Sequence, residues 1–390
     1  MRRILLVFTI AISGLIWGST KTDKAILDKV VFTLNTIRTV ELQTIIHFYQ
    51  KSMGSNSIDT AICYFDFTGN DSLIGAKYQF NFKNDLQVYN GSQTFYLEKS
   101  KERIIYNNEP KLYDATSSIA MMNSIWSIKK LLPDLLKDSA VVISSGKDTI
   151  INGENNYVFK ITLKNRYINI GALLTDKKGF DSNYNLYIAM KTYLPTEFIT
   201  VFKDGFWSSS FSKYDLHASR PDSIWNLAFY PSQYLRISNK EFAESFKKAA
   251  SVQVGKKAID WKLPIVSSKD SVQLSKLKGN LILLEFWFPG CGGCVSAIPE
   301  INCINNEYSN KGLQIYGIEF TKPNDIGLKE YIKEHKIKYP TLHTGKVVAN
   351  EYGVLAAPTF YLIDKNGVIK YASAGFRKDE LIRSIEENLK

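Results

Sequence analysis

The sequence predicts two domains of different class. An α+β domain built on a long antiparallel sheet comes first, and a smaller α/β domain with a mixed sheet flanked by helices follows. Three observations predict this. At about 100–200 residues per domain, 390 residues suggest two or three domains. Between residues 39 and 214 short aromatic-rich runs alternate with turn signals, as in an antiparallel meander. After residue 258 helix and strand patterns alternate, and the strand patterns are continuous apolar runs, as expected of strands buried on both faces.

The elements follow in order. Lys21–Thr36 is a helix, with Ile26, Val30 and Leu34 recurring on one face. Thr39–Gln50, Ile58–Phe67, Ala76–Phe82, Leu86–Tyr89, Thr94–Lys99 and Arg103–Tyr106 read as strands. The turn clusters Gly54-Ser55-Asn56, Thr68-Gly69-Asn70-Asp71, Asn84-Asp85 and Asn90-Gly91 separate them. Ser117–Leu136 is a helix. Strands return at Ala140–Ile150, Tyr157–Leu163, Tyr184–Met190, Glu197–Val201 and Phe206–Tyr214. Asn239–Ala250 is a short charged helix. The second domain has strands at Leu281–Phe288, Leu313–Phe320, Thr359–Ile363 and Val368–Tyr371. Its helices run over about Cys291–Asn310, Asn324–His335 (with Asn324 or Asp325 as N-cap) and Lys378–Leu389. The boundaries read from this pattern are a leader over 1–19, a first domain over 20–235, a helical linker over 236–251 and a second domain over 252–390.

Composition excludes several classes. Hydrophobic residues at 45% and charged residues at 22% argue against disorder. Four cysteines are too few for a disulfide scaffold, but enough for one redox centre, one metal site or one disulfide. The net charge of +11 raises the question of nucleic acid. It is diffuse and carried mostly by Lys, with no clustered basic face, so nucleic acid is not an expected partner.

The N-terminus has a secretory pattern: Met1-Arg2-Arg3, an apolar run from Ile4 to Trp17, then Gly18-Ser19-Thr20. At 1.5 Å rise the run spans about 21 Å, short of a hydrocarbon core of about 30 Å. Cleavage is therefore expected rather than anchoring, and the mature chain has no other apolar stretch long enough to span a membrane. The expected location is outside the cytoplasm, in a bacterial periplasm or envelope. Such a compartment is oxidising, which bears on the thiols.

The stretch that carries chemistry is Leu284-Glu285-Phe286-Trp287-Phe288-Pro289-Gly290-Cys291-Gly292-Gly293-Cys294. A buried strand feeds a tight turn, and the turn feeds a helix with two cysteines at its start. Residues i and i+3 share a helix face, so the two sulfurs can meet as a disulfide. Cys291 sits near the helix N-terminus, where free N–H groups and the macrodipole favour a thiolate. Half a zinc site, a haem attachment or a structural disulfide would also use a CxxC. Zinc lacks two further ligands at fitting spacing, and Val295 stands where haem attachment needs His. No metal is expected. Glu285 interrupts the apolar strand. A buried carboxyl has a raised pKa, which suits it to proton exchange with a thiol.

In this region the chain resembles the thioredoxin-fold domain of the TlpA/ResA-type exported thiol–disulfide oxidoreductases. The likeness runs through Val254–Leu263, Leu277-Lys278-Gly279, Phe286-Trp287, the CxxC, Pro299, Ala357-Pro358-Thr359-Phe360 and Asp364-Lys365-Asn366-Gly367. It implies that Cys291 is the nucleophile, that Cys294 is the resolving thiol, and that Glu285 is the acid of the site. It also implies that Pro358 is cis and faces the disulfide, that Ala357 offers backbone hydrogen bonds to substrate, and that Trp287 lies with these on the substrate side. No cofactor beyond the redox-active pair is implied. The expected partners are protein dithiol or disulfide substrates and an upstream thiol electron donor. Three positions depart from the family pattern: Gly293 replaces the usual Pro, Gly290 an aromatic, and Ala297 a Glu close to the thiols.

The first domain resembles the LolA/LolB-type half-barrels in its order of elements and in Leu86–Tyr96. That likeness implies an antiparallel curved sheet, a half-barrel with an apolar concave face able to take an apolar ligand, or a domain that recruits substrate. His47 and His217 are isolated and read as structural. Cys63 and Cys303 read as two buried thiols, with an interdomain disulfide as the sharper expectation. The resulting expectation is an exported reductase of protein disulfides. A lipid- or peptide-binding carrier with an accessory redox domain is one alternative. A thiol peroxidase is the other, although neither Cys291 nor Cys294 has the Pro and Thr that chemistry places upstream.

Overall fold

A computed structural model describes residues 21–51, 55–69, 71–169, 171–175, 179–251, 253–322 and 324–389. The expected leader lies outside them. The chain forms two compact units. One comprises the described part of Met1–His47 with Ile58–Lys83 and Lys111–Asp222; the other comprises Phe48–Ser57, Asn84–Pro110 and Ser223–Lys390. Composition places a boundary near residue 235, whereas residues 84–110 group with the C-terminal part. A strand that the sequence pattern does not show, Leu235–Ser238, pairs in parallel with Arg103–Asn107 and leads into the helix Asn239–Ser251.

The first unit carries the helix Lys21–Thr36, whose Leu27, Val30 and Leu34 are buried. Its strands run in the order Lys77–Phe82, Ser55–Asp66, Thr39–Gln50, Gly205–Asp215, Pro195–Phe202, Ser182–Ala189, Glu154–Leu163, Val141–Ser145. Adjacent pairs such as Ser182–Ala189 with Pro195–Phe202 are antiparallel. Two expectations change. The helix expected over Ser117–Leu136 occupies only Ile125–Leu135, because Asn123 takes a left-handed φ of 53° and Ser124 is the N-cap, accepting from the Ser127 N–H. The strand expected over Ala140–Ile150 breaks after Ser145, and a short piece resumes at Thr149–Ile151.

The C-terminal part of the second unit holds the mixed sheet. Its elements are β1 (Leu281–Trp287), α1 (Gly292–Tyr308), β2 (Leu313–Glu319), α2 (Leu328–Glu334), β3 (Thr341–Leu342), α3 (Lys346–Glu351), β4 (Thr359–Ile363), β5 (Ile369–Ala374) and α4 (Lys378–Leu389). The sheet order is β3-β2-β1-β4-β5, with β1, β2 and β3 parallel and β4 and β5 antiparallel. Helix α2 is shorter than expected. Asn324 takes the Ile326 N–H, Asp325 takes the Ser267 N–H, and Gly327, at φ 77°, precedes the first helical residue.

Every residue of β1 is buried. Leu281, Leu283 and Trp287 point into one apolar cluster with Cys291, Cys294 and Ile298 of α1. Ile282, Leu284 and Phe286 point into another with Val348 of α3. This two-sided burial explains the unbroken apolar run. Each such side chain contributes roughly 1.5–3 kcal/mol, so the six together outweigh the few kcal/mol that one buried carboxyl costs. Glu285 is tolerated on that account, and the alternation of the strand puts its side chain on the face of the cysteines.

Candidate active site

The site is built where β1 meets α1. Gly290 turns the chain at φ 85°, a conformation that favours glycine. Cys291 is the N-cap of α1, and its Sγ accepts the Cys294 N–H at 3.1 Å. The two sulfurs are bonded at 2.09 Å. Cys291 is 6% exposed and Cys294 2%. Gly290, Gly292 and Gly293 are exposed around them, so the outer sulfur is approached past residues without side chains.

The segment between α3 and β4 supplies the opposite wall. The Ala357–Pro358 peptide is cis. A Cβ on Gly293 would stand 3.2 Å from Pro358 Cδ, so this proline packs directly on the turn between the cysteines. Ala357 is half-buried and Leu355 is exposed. The Gly375 N–H donates to the Pro358 carbonyl at 2.7 Å and Thr359 Oγ1 to the Ala356 carbonyl at 2.7 Å, which fixes the loop.

Glu285 is 1% exposed. Burial pushes its carboxyl up to about 7, and a hydrogen bond from Tyr339 acts the other way. The Tyr339 hydroxyl donates to Oε2 at 2.5 Å, while Oε1 is buried with no hydrogen-bond partner. Trp287 requires a correction. It is 2% exposed and stacks on Tyr331 with ring centroids 5.4 Å apart, so it packs beneath the site instead of lining a substrate surface. The large rings of an unbroken buried strand face the core, which explains its position.

Two residues that sequence reasoning missed belong to this neighbourhood. The Tyr331 hydroxyl accepts the Gly290 N–H at 3.4 Å, and its ring lies between Trp287 and His335. Tyr339 holds Glu285. Neither has a local motif, because both reach the site through tertiary contacts. The other two cysteines are free thiols, in line with the reading of two unpaired thiols and against the sharper one of a disulfide. Cys63 is buried, and burial pushes its thiol up to about 12. Cys303 is exposed, not buried as expected. Among the described residues no group of three or more His, Cys, Asp or Glu could hold a metal ion, and no helix is long and apolar enough to cross a membrane.

A mixed sheet with a cysteine pair at the head of its first long helix, opposite a cis proline, defines a thioredoxin-fold thiol–disulfide protein. Residues 254–372 match the family model described as the AhpC/TSA family. Over 146 residues the chain is 30% identical to the thiol-disulfide oxidoreductase ResA of Bacillus cereus, covering 37% of this chain and 82% of that protein. It is 29% identical over 131 residues to the thioredoxin-like protein YneN of Bacillus subtilis, covering 33% and 76%. It is also similar to the thiol:disulfide interchange protein DsbE of Chlorobium tepidum, at 28% identity over 35% of this chain and 98% of that one, with a TM-score of 0.33. Through its C-terminal region the chain belongs to the ResA-type thiol-disulfide oxidoreductases, and its activity is that of an oxidoreductase.

Proposed function

We propose that this protein is exported and reduces disulfides of partner proteins through a dithiol/disulfide cycle at Cys291 and Cys294. The observation that carries the proposal is the bonded pair at the N-terminus of α1, packed against Pro358. In the reduced protein the helix terminus stabilises a thiolate on Cys291, the more exposed residue of the pair. That thiolate attacks the partner's disulfide, and Cys294 resolves the mixed disulfide. Glu285 accepts the proton that Cys294 gives up; its raised pKa near neutrality suits that exchange. Ala357 and Pro358 receive the extended substrate segment beside the sulfurs. An upstream thiol donor returns the pair to the dithiol, and no other cofactor takes part. The leader pattern at Met1–Thr20 supports export to a bacterial periplasm or envelope. We assign recruitment of substrate, or of an apolar ligand, to a LolA-like half-barrel in the first domain, on the strength of its aromatic-rich meander.

The full chain should reduce insulin disulfides with dithiothreitol as donor. Cys291→Ser should abolish this, and Cys294→Ser should accumulate a mixed disulfide with the substrate. Peroxide consumption without insulin reduction would replace the proposal with a thiol peroxidase.

A further inference from the structure

Tyr339 has a placement that the rest of the fold is arranged to hold. It lies just before β3, 54 residues from Glu285 in sequence. The β1–β2 register sets Gly317 opposite Glu285, and the β2–β3 register sets Gly317 opposite Thr341. The Gly317 N–H donates to the Pro340 carbonyl at 2.9 Å, which fixes the neighbouring Tyr339 across from the acid. A Cβ on residue 317 would stand 2.9 Å from Trp287 Nε1 and 3.2 Å from Tyr339 Cε2. The ring therefore reaches Glu285 over a residue that has no side chain. From the other side, Asn302 of α1 donates to the Lys336 carbonyl at 2.8 Å and accepts the Lys338 N–H at 3.0 Å. The helix that carries the cysteines thus also tethers the segment that carries Tyr339.

We infer that Tyr339 is a positioning residue for the thiol chemistry: by holding Oε2 of Glu285, it leaves Oε1 as the oxygen that receives the proton of Cys294. The inference rests on the proposed role of Glu285. In the step concerned, the Cys294 Sγ–H bond breaks and its proton passes to Glu285. The Cys294 thiolate then attacks Cys291 Sγ of the mixed disulfide. The Cys291–Cys294 bond forms and the Cys291–partner bond breaks. The partner's sulfur leaves as a thiolate and takes up the proton. Over this half of the cycle the dithiol loses two electrons and the partner's disulfide gains them; the upstream thiol donor then restores the dithiol. The titratable groups facing Glu285 are Tyr339, Tyr331 from α2, and the cysteine pair of α1. Tyr339 is the group that hydrogen-bonds the charged form of the acid, and such a bond favours the carboxylate.

The test is the pH profile of insulin reduction by the full chain, for the unsubstituted protein, Tyr339→Phe, Glu285→Gln and the double variant. Tyr339→Phe should move the carboxyl-dependent inflection up by about one pH unit and slow the reaction about tenfold on its acid side. It should change nothing in the Glu285→Gln background, because it acts through that residue. Gly317→Ala should produce the same upward shift by displacing the ring. If Tyr339→Phe leaves the inflection in place while Glu285→Gln removes it, Tyr339 has no positioning role and the reading of Glu285 stands. If Glu285→Gln retains the inflection, both fall. Should Tyr339→Phe fail to fold, the reduced unsubstituted protein still decides the matter. With 13C-labelled tyrosine and glutamate, the Tyr339 Cζ and Glu285 Cδ resonances should titrate with one shared inflection. Unrelated inflections would overturn the inference.

Discussion

Glu285 makes the protein's stability depend on pH in a direction opposite to that of a salt-bridged carboxylate. Burial raises its pKa from 4.5 to about 7. Below pH 4.5 the group is neutral in the folded and the unfolded chain, so its ionisation costs the fold nothing. Between these values only the unfolded chain ionises, and stability falls as pH rises. Above about pH 7 the loss is complete, on the order of 3 kcal/mol at 1.36 kcal/mol per unit. Glu285→Gln keeps an acceptor for Tyr339 and removes the ionisation. Urea denaturation at pH 5 and pH 8 should therefore show a flatter pH dependence for the variant, with its relative gain at pH 8. Gly293 separates stability from activity at the same scale. Alanine there improves helix propensity by up to about 1 kcal/mol. Its Cβ, however, would press on Pro358 Cδ at 3.2 Å. Gly293→Ala is expected to hold or raise the melting temperature while slowing insulin reduction.

Among the elements, α1 carries the cysteines at one end and Asn302 further along. Asn302→Ala would leave the Lys338 N–H and the Lys336 carbonyl without their present partner. A loss of about 1–3 kcal/mol is expected in urea denaturation. Periodicity in the sequence identified the strands and helices that are buried on one or both faces. Lys21–Thr36, Thr39–Gln50, Thr359–Ile363 and Lys378–Leu389 have the expected bounds, because burial imposes the apolar spacing that the sequence displays. What stayed hidden depends on side chains folding back on the local backbone, as at Ser124 and Asn324, or on pairing with a distant partner, as at Leu235–Ser238. The site divides in the same way. The cysteines, Glu285 and the Ala357-Pro358 pair are written in local motifs. Tyr331 and Tyr339 become visible only through stacking on Trp287 and through the register of β1, β2 and β3.

For the whole molecule, the four cysteines sort into three environments. Native alkylation without reductant should label Cys303 alone. Unfolding should add Cys63, and reduction should add Cys291 and Cys294. Labelling of Cys63 in the native state would contradict its burial. The matched relatives cover little more than a third of this chain, so its first 250 residues are what sets it apart from them. The helix Asn239–Ser251 ties the two parts of the second unit together. It follows the strand paired with Arg103–Asn107 and packs on β5. Strand β5 is the outermost strand of its sheet, with β4 as its one neighbour. A recombinant fragment begun at residue 252 would keep the bonds of Gly255 and Lys256 to Ile369, but would lose the helix cover over the rest of β5 and present that part of the edge to solvent. Light scattering should show such a fragment self-associating with rising concentration, while one begun at residue 239 stays disperse; the helix would then act as a solubility device for the redox domain.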